Sequence, residues 1–302
     1  MNLPTGTLWR TWCARTGSHL PRPVVSLTMA RAEFVLRPFE GLPGEPDWVA
    51  MREVVPAATA TARTTAEHGS RDIRVVTVLP QAWPALHRSD GVVMLALQQH
   101  AGSGDASRDL ADLLLRVLDL EPGTPIWSAP APEPGPRLQD VLDLSVPFEV
   151  TVHDSFEYWT PEGTELPPEV EASRAELGAV PTRRLTSVDA AYWTRMSGRE
   201  FLRWAMPHEE EAFMDALARL HARRESGLGE AGSLGRFLGA FRSCGLVVPV
   251  WDLELGTPLE TLEAEALALR GRLDEALTVE GPLDANARRA RAGLVARQLT
   301  LR

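Results

Sequence analysis

The chain has 302 residues, 44% hydrophobic, 24% charged and 6% aromatic, a composition that suits a globular protein of one large domain or two of roughly 150 residues. Its formal net charge is −10, and all 31 basic side chains are arginine. Without lysine the chain can build no P-loop ending in Gly-Lys-Ser/Thr, no pyridoxal Schiff base and no kinase strand lysine.

Two cysteines, Cys13 and Cys244, are too few for a four-thiolate zinc site or a cysteine-held iron–sulfur cluster, and too far apart for a redox pair. The expectation is a reducing, cytoplasmic setting and no cofactor. A negative chain repels polyphosphate, which counts against a nucleic-acid partner. The longest apolar runs, Gly91 to Leu97 and Gly245 to Trp251, fall far short of the roughly 20 residues of a membrane span, so no membrane partner is expected either.

Residues 1–32 carry Arg10, Arg15, Arg22 and Arg31 with no acid and are read as a disordered or spurious extension, with Met29 as the natural start. Residues 33–160 are expected to form an α+β domain. Its strand-like runs at 33–37, 58–65, 73–79 and 92–97 predict an antiparallel meander. In the helix predicted at 105–118, Leu110, Leu113, Leu114 and Val117 form one stripe. The proline-rich stretch 121–137 is expected to stay extended outside the sheet. From Phe148 to Tyr158 apolar and polar residues alternate, with Asp154 intruding on the apolar side and marking a bend.

Residues 161–184 read as a linker, and 185–302 as a mainly helical domain with a short strand. A helix starts near His208-Glu209-Glu210-Glu211, and a second passes through Phe237, Leu238 and Phe241. The strand covers 246–251. Thr257-Pro258-Leu259-Glu260 predicts a capping box for a helix bearing Leu262, Ala266, Leu269 and Leu273. The short Gly281-Pro282 break predicts that the last helix, with Arg288, Arg289, Arg291 and Arg297, folds back on that acidic helix.

Several constellations invite a chemical reading, each with a plainer one beside it. Gly227, Gly229 and Gly232 spell GxGxxG with Asp252 beyond them, yet the preceding residues read as helix rather than the strand a dinucleotide site needs. His153, Asp154 and Ser155 are triad types, but in a strand Asp154 points away from its neighbours. His208, Glu211 and Asp215 share a helical face as weak metal candidates, and first-turn acids suit the helix dipole equally well. Asp105, Asp109 and Asp112 are compatible with magnesium or with a solvated face. His68, His87, His100 and His153 would support acid–base chemistry if a pocket gathered them.

The densest local signature runs from Arg37 through Pro43-Gly44, Asp47-Trp48 and Met51 to Val55-Pro56 and Ala60, read RPFEGLPGEPDWVAMREVVPAATA. Pro43-Gly44 suits a type II turn, Asp47 can cap a short helix, and Trp48, Met51 and Val55 share its buried side. This run, together with GLVVPVWDL at 245–253, resembles an actinobacterial family of unknown function whose members are sometimes labelled preprotein translocase SecA-like. The resemblance implies no catalytic residues and no established activity.

The resulting expectation is an α+β protein acting without catalysis as a protein-binding or chaperone-like module, with Trp48, Trp83 and Trp127 as candidate contact residues. The alternative is a small-molecule hydrolase using His, Asp and Glu in acid–base or metal-assisted chemistry.

Overall fold

The structure, a computed structural model, describes residues 34–99, 102–128, 130, 132–165, 167–178, 180–296 and 298–300. The expectations for residues 1–32, for His100 and for Arg297 lie outside them. The elements run α1 (Glu45–Glu53), β1 (Ala58–Arg63), β2 (Asp72–Val76), β3 (Ala85–His87), β4 (Val93–Ala96), α2 (Ala106–Leu118), β5 (Thr124–Ile126), α3 (Leu138–Val141), β6 (Val150–Val152) and α4 (Pro168–Leu177). They continue as β7 (Thr182–Arg184), β8 (Ala191–Met196), β9 (Arg199–Trp204), α5 (Glu210–Ala222), β10 (Gly235–Ser243), β11 (Leu246–Leu253), α6 (Leu259–Leu277), α7 (Ala285–Val295) and β12 (Gln298–Thr300). The fold is α+β. No helix among the described residues is long and apolar enough to cross a membrane.

Two six-stranded sheets organise these elements, with strand orders β6-β1-β2-β4-β3-β5 and β7-β8-β9-β11-β10-β12. The predicted meander gives way to a mixed sheet, because β3 intervenes in sequence and β4 then pairs with β2 in parallel. Phe34 to Arg37 is irregular instead of a strand, and Val35 N–H donates to Gly104 O. The proline-rich stretch joins the sheet after all: Thr124–Ile126 pairs with β3 as its outer strand. Pro125 is tolerated there because an edge strand need not donate on both sides.

The 161–184 stretch carries α4 and β7. The segment through Phe237, Leu238 and Phe241, predicted as helix, is strand β10, joined to β11 by the two-residue turn Cys244-Gly245 with φ of 48° and 77°. Left-handed backbone at both positions is what a tight hairpin demands. Gly245 is further constrained, since a Cβ there would lie 2.9 Å from Leu36 O. The second half therefore holds a full sheet where one short strand was predicted. The capping box is absent: Thr257 Oγ1 donates to Glu254 O, and α6 starts after Pro258. Helix α7 packs on α5 rather than folding back on α6, with Arg291 bonded to Glu211 and Asp215.

One face of the second sheet is covered by α5, α6 and α7 around Trp204, Trp251, Phe213, Leu217, Leu262 and Leu269. The first sheet buries Ala60, Ile73, Val75 and Leu95 under α1 and α2, and on its other side Met94 and Ala96 meet Phe156, Tyr158 and Trp159. The bend at Asp154 puts Phe148, Val150 and Val152 against one of these clusters and Phe156 and Tyr158 against the other.

Helix α1 joins the halves. Its Trp48, Val49, Ala50 and Met51 are buried in a cluster that also takes Tyr192, Leu246 and Val248 from the second sheet. Gly44, at φ 67°, turns the chain into the helix where a Cβ would sit 3.2 Å from Phe148 Cβ. Trp48 stacks on Phe148 at 4.1 Å, and its indole N–H donates to Pro43 O.

Candidate functional site

The joint rests on buried polar contacts. Asp47 accepts from Tyr192 Oη at 2.5 Å and from Arg184 Nη2 at 3.0 Å. Burial, then the Asp47 charge, raises the Tyr192 phenol well above its usual range. Burial pulls the Arg184 guanidinium down, but the hydrogen bond and charge of Asp47 outweigh it and leave the net shift upward. Tyr192 therefore stays a neutral donor and Arg184 a cation, so Asp47 is a fully committed structural acceptor. Beside it Glu45 receives two bonds from Arg37, which also donates to Pro207 O.

Where the C-terminal turn of α1 meets β8 and β9, the halves leave a cleft of about 190 Å³ lined by Val54, Val55, Thr194, Met196 and Arg203, with Glu53, Pro56, Gln98 and Val180 completing it. Gln98 Nε2 donates to Met51 O and Val55 O, which fixes the end of α1. Arg52 is held by Leu97 O and Gln99 O, and Glu53 lies 3.5 Å from its Nε.

Arg203 is different: among the described residues its hydrogen-bond acceptors are Val54 O at 3.5 Å and Met196 Sδ at 3.4 Å, and it pairs with no carboxylate there. Burial alone pulls its guanidinium below the usual value, since no opposing charge is close enough to offset it. Thr194 is fully buried, and its hydroxyl has no hydrogen-bond partner among the described residues. On the adjoining sheet face, Arg199 and Arg203 flank the Phe201 ring at 5.1 and 5.9 Å, while Arg199 also pairs with Asp252.

The residues singled out from sequence are dispersed. His87 Nδ1 lies 2.6 Å from Leu120 O near one edge of the first sheet, His153 follows β6 at the opposite edge, and His68 sits in the β1–β2 connection. His153 Nε2 is 2.9 Å from Thr59 Oγ1; Asp154 pairs with Arg183 instead of His153. No group of three metal-binding side chains converges among the described residues. Glu211 and Asp215 are engaged by Arg291, and His208 stacks on Phe213. Asp105 caps α2 and pairs with Arg137, Asp109 accepts from Gly102 and Ser103, and Asp112 pairs with Arg116.

The glycine-rich loop follows helix α5, and its Gly229 N–H donates to the Glu265 carboxylate. An internal acid thus stands where a phosphate would have to bind. Asp252, the partner residue of that motif, pairs with Arg199 and Arg236. Of the three tryptophans, Trp48 is buried, whereas Trp127 is 69% exposed and packs edge-on to Trp83 at 5.3 Å. Sequence reading passed over Arg203 and Thr194. Alternation in β8 and β9 could have placed them on one sheet face, but no pattern in the chain marks a side chain as lacking partners.

The family model described as "Family of unknown function (DUF5926)" matches residues 38–302. No curated protein and no solved structure matches the chain.

Proposed function

The chain belongs to this family of unknown function, and we propose that it is a cytoplasmic protein-binding module without chemistry of its own, contacting its partner at the seam cleft and the adjoining face of β8 and β9. The observation that carries this reading is Arg203, a partly buried cation that no carboxylate of the described residues reaches, in a chain of net charge −10. A charge kept out of water without a partner costs stability, so its retention favours a role in contact with something else. Val54, Val55, Val180 and Met196 around it give the apolar wall of a recognition site. The Phe201 ring between two arginines adds the side-chain types that dominate interface energies. Acidic overall charge argues for a protein partner over nucleic acid. A nucleotide-driven motor is not part of this reading, since the chain has no lysine for a P-loop.

Affinity capture from the native cytoplasm tests the proposal. The full chain should retain a reproducible partner that Phe201→Ala loses; identical proteins retained by both would count against it. A second reading as a hydrolase draws on the Thr59–His153 contact, a hydroxyl within reach of an imidazole. Burial, then the charge of Arg74, holds that imidazole below its usual range and favours the neutral base. Turnover within an ester and amide panel, abolished by His153→Ala, would reverse the order of the two readings.

A further inference from the structure

We infer that the seam cleft is a carboxylate subsite that takes one acidic side chain of the partner protein, with Arg203 as the guanidinium fork and the Thr194 hydroxyl as a second donor. The inference rests on the binding-module reading and adds the chemistry of the group bound. Size comes first: about 190 Å³ equals roughly six water volumes and falls below the roughly 300 Å³ where ordinary small-molecule pockets begin. The cleft fits the end of one side chain, and Val54, Val55, Pro56, Val180 and Met196 can cover a methylene stem.

Charge then selects the group. Arg199 is engaged by Asp252 and Arg52 by two carbonyls, which among the described residues leaves the five donors of Arg203 with a carbonyl at 3.5 Å and a sulfur at 3.4 Å. A carboxylate accepts two parallel bonds from such a fork. Glu53 on the same wall would repel a dianionic phosphate more strongly than a single negative charge. Thr194 supplies an independent sign, because an unbonded hydroxyl inside a protein costs stability and a methyl group of the same shape would not. Two such features in one cleft are explained together if both meet the same oxygen atoms when the partner is seated.

Titration of the full chain with N-acetylglutamate amide, its glutamine counterpart and inorganic phosphate tests this directly. The glutamate probe should bind and raise the Tm, whereas the glutamine probe and phosphate should do neither. Arg203→Gln should weaken glutamate binding at least about tenfold, and Arg203→Lys should fail to restore it, since the fork is lost. Thr194→Val should weaken binding several-fold while raising the Tm of the unliganded protein by about 2 °C. Phosphate binding tighter than glutamate, or unchanged glutamate affinity in both Arg203→Gln and Thr194→Val, would overturn the subsite. If a captured partner is lost by Phe201→Ala but kept by Arg203→Gln, the subsite falls and the binding module stands. Glutamate binding through Arg203 with no partner captured would instead uphold the subsite's chemistry and remove the binding module.

Discussion

The two sheets share the order of five strands, β1-β2-β4-β3-β5 matching β8-β9-β11-β10-β12, yet differ in direction, and the connections explain why. In the first, β2 and β4 run parallel; in the second, β9 and β11 run antiparallel. Residues 77–84 connect β2 to β3 with only a 3₁₀ turn, so β3 must descend from the end where β2 stopped. Between β9 and β10 lies α5, whose 13 residues span about 20 Å, close to the length of a six-residue strand. It carries the chain back to the start of β9, and the β10–β11 hairpin enters reversed. The same rule fixes the far edges. One helix, α2, separates β4 from β5, whereas two, α6 and α7, separate β11 from β12. An extra helical return leaves β12 parallel to β10, while β5 is antiparallel to β3. Strand order alone does not define such a sheet; the number of helical returns does.

What binds the two differently wound sheets together is α1, and the strongest way to break the comparison is to remove its central acceptor. Asp47→Ala leaves Arg184 and Tyr192 without their shared acceptor and should cost about 3–5 kcal/mol, read by urea denaturation. Tyr192→Phe, which leaves the Arg184–Asp47 pair in place, should cost about 1–2 kcal/mol. Equal losses would show that the phenol, rather than the ion pair, dominates the joint.

A narrower probe acts on the second sheet only. A Cβ on Gly227 would lie 2.6 Å from Gly232 Cα and 2.8 Å from Gly235 O, both backbone atoms. Gly227→Ala should therefore destabilise by about 1–3 kcal/mol, by disturbing the loop that leads from α5 into β10. A thermal melt unchanged by this substitution would remove the structural explanation of the glycine motif.

The gentlest probe compares one histidine from each half. Burial first, then nearby arginines, holds His153 and His208 below the usual imidazole range. Below about pH 6.5 the unfolded chain takes up protons that the folded chain resists, so stability present at neutral pH is lost as pH falls through the folded values. Melts from pH 7.5 to 5 should show a falling Tm, and His153→Gln and His208→Gln should each flatten part of the decline. A decline untouched by both substitutions would assign the effect to carboxylates.

The helices were legible because their apolar stripes are local: Leu110, Leu113, Leu114 and Val117 in α2, and Leu262, Ala266, Leu269 and Leu273 in α6, are all buried. Strand β10 was not, because its register shifts between Phe237 and Gly239. The irregularity breaks the two-residue period and leaves Phe237, Leu238 and Phe241 at helix-like spacing. The Cys244-Gly245 turn was the available signal for a hairpin. Asp47 looks in sequence like a helix-start residue; its bonds reach Arg184 and Tyr192, far along the chain. The cleft was hidden for a related reason, since Arg203 is one of many arginines until the fold decides which of them meet an acid.

The central claim is that Arg203 is kept for recognition and not for folding, and Arg203→Met measures this most directly by retaining the stem and removing the charge. Unliganded Arg203→Met should be as stable as the parent or more so in urea, because no ion pair is broken and a buried charge is removed. A loss of more than about 1 kcal/mol would contradict the account and assign Arg203 to the scaffold.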